Sequence, residues 1–332
     1  MVNSSRIAET TPAPAEEGLL PIRIDAVPIE ALTDFDLYFR PDPSQPFVLY
    51  SRRNEHFDEE ARRRLEENRI ERLYIAESRE RDFRRCVGYN LSAIIDDEAI
   101  SIEERSELLH ASGQAIVQDI LDDCHSDEAV TRAKEMVRNT VRFLHTDKSV
   151  FQHVVRALTV DYQVYSHSVN VAIYSVALAQ RAGYEAAATL REVANGALLH
   201  DTGKSYLDPA IIAKPGPLTL VEWEAMKEHP VAGYRILEGM GRLGEIALDI
   251  VLHHHEKVCG GGYPDDLEGR AISPFVRIVT IADVFDALTT KRPFQEAKST
   301  FDALGMMNGR MRNELDPALL RLFVQMMGKL RK

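Results

Sequence analysis

Two imidazoles and a carboxylate, His254-His255-Glu256, stand just before a glycine-rich turn, Gly260-Gly261-Gly262-Tyr263-Pro264. Upstream lies His200-Asp201-Thr202-Gly203-Lys204, and downstream lies Asp283. Each of these groups is embedded in an apolar stretch. Histidines and aspartates so placed read as ligands of a site that holds more than one metal ion. Mixed imidazole and carboxylate donors suit iron or manganese, and zinc less distinctively.

The spacing assigns roles one position at a time. His200-Asp201 closes the run Leu190–Leu199, which reads as a helix. Neighbouring helix positions point about 100° apart, so one residue can bind one ion while the next bridges to another. In the run His253-His254-His255, His254 follows Ile250 by four and His255 follows Val251 by four. Both lean toward the buried stripe of a helix. His253 follows Asp249 by four and leans toward the polar side, as a surface or orienting imidazole. Asp283 and Asp286 share a helix face at i, i+3. Apolar residues surround both, and a buried carboxylate is costly unless paired or metal-bound. Asp283 reads as a ligand, and Asp286 as a group that orients a ligand or a loop. Taken alone, His229 reads as a surface histidine beside Pro230, and His167 as a satisfied core histidine. Lys204 and Arg292 alone read as solvated charges.

The segments HDTGK, KPGPLT, His229-Pro230, HHE, GYP, DVFDAL and RPF follow one another in order. Over roughly residues 150–327 the chain resembles the HD-GYP family, bacterial phosphodiesterases acting on cyclic di-GMP. The resemblance implies an all-α bundle with His167, His200, Asp201, His229, His254, His255 and Asp283 as metal ligands. It implies two divalent ions, iron or manganese, bridged by Asp201. Two ions roughly 3.5–4 Å apart can activate a bridging hydroxide and stabilise phosphate oxygens in an in-line displacement. Asp201 and Lys204 then carry catalysis. Lys204, Gly262, Tyr263, Pro264 and Arg292 contact the substrate, while Asp286 and Glu256 support the ligands and the loop. The implied product is pGpG, with GMP as a further one.

Three positions depart from the family pattern. Gln163 stands where some members carry a glutamate for a third metal. Cys259 replaces the usual aspartate of the loop before GYP, and Gln295 replaces a basic residue. An amide is a poor ligand for a hard cation, so a two-metal centre is expected. Cys259 and Gln295 favour, slightly, a second reading: a weakly active or inactive cyclic-dinucleotide-binding or scaffold protein.

The elements that must position these residues fall into four segments. Residues 1–17 are rich in Ser, Thr, Pro, Ala and Glu and read as a disordered leader. Residues 18–85 read as a small α/β regulatory module. Its strands are Leu20–Val27, Asp36–Arg40, Phe47–Ser51 and Arg72–Ala76, with a helix over Asp58–Asn68 and a hairpin loop at Asp42-Pro43-Ser44. Residues 86–148 read as a helical linker or packing region, entered through a capping box at Ser101 and Glu104. Residues 149–327 hold the chemistry, with loops around 204–218 and 257–274. The expected class is α+β overall, a small α/β module followed by an all-α HD-type bundle.

With 332 residues the chain is long enough for two domains. A formal net charge of −12 argues against binding a nucleic acid polymer, which needs basic patches. A small anionic ligand such as a cyclic dinucleotide remains compatible, because metal ions supply local positive charge. Three cysteines without a C-x-x-C pair suit a reduced, cytoplasmic protein. No apolar run approaches the ~18–20 residues of a membrane span, and no secretory signal is visible. The N-terminal half is the candidate surface for a homodimer or a signalling partner.

Overall fold

The structure is a computed structural model. It describes residues 18–328 apart from 28–30, 43–44, 69, 99, 147–149, 159–163 and 292–295. The expected leader, Pro43 and Ser44 of the expected hairpin loop, Gln163, Arg292 and Gln295 all lie outside the described residues. The chain divides into two compact units, Met1–Ala115 and Ile116–Lys332.

The first unit is built on an antiparallel sheet of β1 (Leu19–Arg23), β3 (Leu37–Phe39), β4 (Val48–Ser51) and β6 (Arg72–Ala76), in the order β1-β6-β3-β4. A second pair joins β2 (Ala31–Leu32) to β5 (His56–Phe57). Helix α1 (Glu59–Glu67) starts where Asp58 accepts a hydrogen bond from the Ala61 amide at 2.7 Å. Helix α2 (Glu80–Asp96) follows, then α3 (Ile102–Asp122), within which the boundary between the units falls. Alternation along β6 sends Leu73 and Ile75 inward, where they meet Phe35, Leu37, Phe57, Leu65, Phe83 and Val87 in one core. The expected strand Leu20–Val27 stops at Arg23, and Ile24–Ala26 is a 3-10 turn. The adjacent Ala26 and Val27 are both buried. A strand would send them to opposite faces, whereas a turn lets both reach the core. Ser101 accepts from the Glu104 amide at 3.2 Å, while the Glu104 carboxylate meets Arg23 at 2.7 Å.

The second unit is helical. Helices α4 (Asp127–Thr146) and α5 (Val150–Ala157) precede α6 (Val164–Arg181) and α7 (Ala187–Leu199). Then come α8 (Pro209–Ile212), α9 (Leu220–Lys227), α10 (His229–Gly239), α11 (Glu245–His253) and α12 (Pro274–Thr289). Helices α13 (Thr300–Asn308) and α14 (Pro317–Gly328) complete it. Helix α6 is apolar nearly all round and is buried accordingly: Val169, Val171, Ile173, Val176 and Leu178 have no exposure. It packs on α7, α12 and α14. Tyr174, Phe285 and Phe323 tie three of these helices through edge-on ring contacts at 5.0–6.0 Å. The expected α+β arrangement holds: a small antiparallel sheet, then a helical domain.

The stretch expected as loop over 204–218 contains regular structure. Thr202–Tyr206 is a 3-10 turn, and α8 begins with Asp208 accepting from the Ala210 amide at 2.8 Å and Pro209 in the first turn. Residues 257–274 carry one short 3-10 turn, Gly269–Ala271. Among the described residues no helix is long and apolar enough to cross a membrane.

Candidate metal centre

Five segments of the second unit converge on one buried cluster. His167 comes from the first turns of α6, His200 and Asp201 from the end of α7, and His229 from the first residue of α10. His254 and His255 follow α11, and Asp283 lies in α12. His167, His200, Asp201, His229, His254 and Asp283 are all buried, and His255 is half-buried. Helix α11 ends at His253, two residues short of the expected His255. The His254 amide still bonds the Ile250 carbonyl at 3.0 Å, so the ring keeps its helical direction. His255 lies beyond the helix, and the turn there brings its Nδ1 to 3.9 Å from Asp283.

Three of the imidazoles are oriented by the same local device. The Nδ1 of His200 lies 2.7 Å from the Ala197 carbonyl, that of His229 2.7 Å from Met226, and that of His254 2.9 Å from Val251. Each partner is the residue three positions earlier. A carbonyl only accepts, so each Nδ1 carries a proton, and on His229 and His254, which burial keeps neutral, Nε2 presents a lone pair. The Nε2 atoms of His229 and His254 face each other at 3.2 Å. Burial, opposed by Asp201, lowers His229 to about 3, and burial with the neighbouring histidines holds His254 well below its ordinary value. Burial likewise lowers His255 to about 4. These rings stay neutral at neutral pH.

His167 is held differently. Its Nδ1 meets Asp286 at 2.7 Å and its Nε2 meets Asp283 at 3.1 Å. Burial alone would depress this ring, but the hydrogen bonds to Asp283 and Asp286 outweigh it and push the ring to about 10. Asp286 is fixed in turn by Asn170 at 2.8 Å and Thr290 at 3.2 Å. Both orienting residues escaped the sequence reading. Asn170 lies three residues after His167 in an apolar helix, a spacing that could have marked it.

Asp201 sits at the middle. One oxygen accepts from Lys204 at 2.6 Å and lies 3.4 Å from His200. The other lies 3.4 Å from His229 and is buried without a hydrogen-bond partner. Burial opposes the ionised form, but His200 and Lys204 outweigh it and hold Asp201 well below the usual carboxylate range. Opposed lone pairs at 3.2 Å and an orphaned carboxylate oxygen are what a cation would satisfy. Three overlapping triads have donor atoms within 4.8 Å of one another: His229, His254 and His255; His167, His200 and Asp283; His200, Asp201 and His254. The neutral nitrogens of His229, His254 and His255 and the ionised Asp201 fit divalent metal, and His167 would join them on losing a proton.

The segments that carry these donor groups are pressed together at the main chain. A Cβ on Gly203 would fall 1.9 Å from the His229 carbonyl oxygen, so only glycine lets the turn after Asp201 lie against α10. Gly262 is similarly confined, with Glu256 Cα and the Lys257 nitrogen within 2.7 Å of an added Cβ. The buried Glu256 accepts from the amides of Asp265 at 2.7 Å and Leu267 at 3.0 Å. Gly261 donates to Asp266 at 2.6 Å, and Val258 donates to the Glu314 carbonyl at 3.0 Å. The loop thus keeps its hydrogen bonds with an exposed cysteine at 259. It delivers Tyr263, joined to Pro264 by a cis peptide, to 4.8 Å from the His255 ring. His253 stays outside the donor set, between Asp249 at 2.7 Å and Asp265 at 3.0 Å. A cleft of about 420 Å³ opens beside the cluster, with Lys204, His229, His255 and Tyr263 in its wall.

Residues 131–319 match the family model for the HD domain. Cyclic di-GMP phosphodiesterase PA4108 of Pseudomonas aeruginosa is 28% identical over 80% of this chain and 67% of its own length. Cyclic di-GMP phosphodiesterase response regulator RpfG of Xanthomonas campestris pv. campestris is 42% identical over 40% of this chain, but only 36% of its own length. Bd1817, a HDG"Y"P protein from Bdellovibrio bacteriovorus, shares the fold with a TM-score of 0.65 at 20% identity, covering 94% of this chain and 100% of that one. The model match spans more than half of the chain, and the His–Asp pair and the GYP loop meet at one site: the chain belongs to the HD-domain family, in its HD-GYP form.

Proposed function

We propose that this chain is a metal-dependent phosphodiesterase that hydrolyses cyclic di-GMP to pGpG, with two divalent ions, iron or manganese, as its cofactor. The observation that carries this reading is the pair of opposed Nε2 lone pairs on His229 and His254, beside the orphaned oxygen of Asp201. When bound, a pair of such ions lowers the pKa of water and offsets the charge of phosphate oxygens. The chain would hold them through His167, His200, Asp201, His229, His254, His255 and Asp283.

The remaining residues position and neutralise. Lys204 places a cation beside Asp201 and in the cleft wall, where a phosphodiester would enter. Asp286 keeps the proton of His167 on Nδ1, which leaves Nε2 for a ligand bond. Tyr263 closes the cleft next to His255, and Glu256 with Gly262 sets its position. The names of the relatives support the substrate class. The loop's intact hydrogen bonds around Cys259 favour an active enzyme over a scaffold.

Metal analysis of anaerobically purified protein, combined with a product assay on cyclic di-GMP, tests the reading. About two equivalents of metal per chain and accumulation of pGpG are expected. Metal-loaded protein that binds but does not cleave cyclic di-GMP would overturn the assignment in favour of a binding module.

A further inference from the structure

The cleft beside the cluster has two chemically different ends. Lys204, His229 and His255 form the polar one. The other is walled mainly by Ile211, Ile212, Pro217, Leu218 and Trp223, with Tyr263 near both His255 and Trp223. Lys214 also lines the cleft, its ammonium paired with Glu222 at 2.5 Å. Trp223 is the only tryptophan in the chain. It lies 6.2 Å from the Tyr263 ring at 83°, an edge-on contact, and Tyr263 lies 4.8 Å from His255. Trp223 is also 44% exposed, an unusual placement for so large an apolar surface.

Its register links it to the metal centre. Trp223, Met226 and His229 follow at intervals of three along α9 into α10, so they succeed one another on one side. Met226 lines the same cleft, and its carbonyl orients His229. The segment that fixes a metal ligand therefore also fixes the indole. Leu220 and Val221 are more exposed still, at 83% and 81%, yet they do not line the cleft. The apolar wall is a concave site rather than a general sticky face of the helix.

We propose that this end of the cleft is a nucleobase subsite, in which one purine of a cyclic dinucleotide stacks on Trp223 while its phosphodiester lies at the Lys204 end. The assignment rests on the reading of the site as one that acts on cyclic dinucleotides. Aromatic side chains grip bases through their π-faces with little dependence on base identity. An aromatic and apolar wall near the Lys204 ammonium and the metal-binding candidates matches the two chemistries of a nucleotide. The volume, about 420 Å³, lies in the range of small-ligand clefts. Trp223 acts on ground-state grip, away from the reacting phosphate, so its loss falls on KM and not on kcat.

The sole tryptophan makes the test direct. Manganese-loaded protein is mixed with cyclic di-GMP in a stopped-flow fluorimeter, so that binding is read before turnover. A saturable change in tryptophan emission is expected. Trp223→Ala is expected to raise KM about tenfold with kcat and metal content unchanged. Trp223→Phe, which keeps a stacking face, recovers most of the loss, and Leu220→Ala keeps the parent KM. Hydrolysis without a saturable emission change, a parent-like KM in Trp223→Ala, or an equal loss in Leu220→Ala would overturn the subsite. Saturable emission change without hydrolysis would leave the subsite standing and overturn the phosphodiesterase reading instead.

Discussion

The Nε2 atoms of His229 and His254 meet at 3.2 Å although both rings have placed their proton on Nδ1. Two lone pairs so close repel each other unless a cation lies within reach of both. Metal should therefore stabilise the folded protein. A ligand present at a hundredfold excess over its Kd adds about 2.7 kcal/mol. Thermal melts with and without a chelator should differ by several degrees, with the metal-loaded form higher. Coincident melts would contradict a metal role for these rings.

Metal loading should release a proton. His167, raised to about 10 by its two carboxylate partners against the effect of burial, carries its proton at pH 7 in metal-free protein. A metal bond at Nε2 requires that proton to leave. Calorimetric titration with manganese at pH 7 in two buffers of different ionisation enthalpy should give about one proton released per chain from this ring. The sign also fixes the stability profile of metal-free protein. The contribution of His167 is fully present below its ordinary value near 6.5 and is lost as pH rises through about 10. Urea titrations across that window measure it.

Two aspartates at the site should fail in different ways. Asp201→Ala removes the central carboxylate and should abolish turnover while the helical circular dichroism persists. Asp286→Asn weakens only the acceptor for His167, with Asn170 and Thr290 still in place. A loss of about 10–100-fold in metal affinity is expected, with activity recovering at high metal. Turnover by Asp201→Ala at the parent rate would remove this cluster from the chemistry.

Glu256→Ala removes the carboxylate that accepts from the amides of Asp265 and Leu267. A hydrogen bond to a charged group contributes ~1.5–3 kcal/mol. The loop carrying Tyr263 should loosen, with KM raised and metal content retained. Hydrogen exchange at residues 260–267 would report the loosening, and Cys259→Asp should leave that exchange close to the parent pattern. Unchanged exchange in Glu256→Ala would show that other contacts hold the loop.

Helix spacing alone marked His254, His255 and Asp283 as candidate donors, whereas His167 and His229, which alone read as a core and a surface histidine, joined the set only through the family resemblance. His253 illustrates how far that goes. Its i−4 partner Asp249 follows from helix geometry, but Asp265 reaches it only because the GYP loop turns back. The path of a loop is set by distant contacts, which periodicity does not carry. Short elements were lost for a related reason. The strands β2 and β5 have two residues each, too few to show alternation. Helix α8 passed for loop although Asp208 and Pro209 are a helix start in miniature. Trp223 was passed over because a lone exposed aromatic gains meaning only from the cleft beside it.

The hydrogen bonds from His200, His229 and His254 to their own main chain three residues back have a consequence for metal choice. Rings anchored this way cannot swing to suit the preferred geometry of one element over its neighbours. Discrimination among transition metals then rests on the mixture of nitrogen and oxygen donors and on what the cell supplies, since divalent affinities otherwise follow a fixed order. Under the proposed function, the same anchoring would let one ion replace another without rebuilding the helices, and the metal found in purified protein would then vary with the growth medium as well as with the sequence.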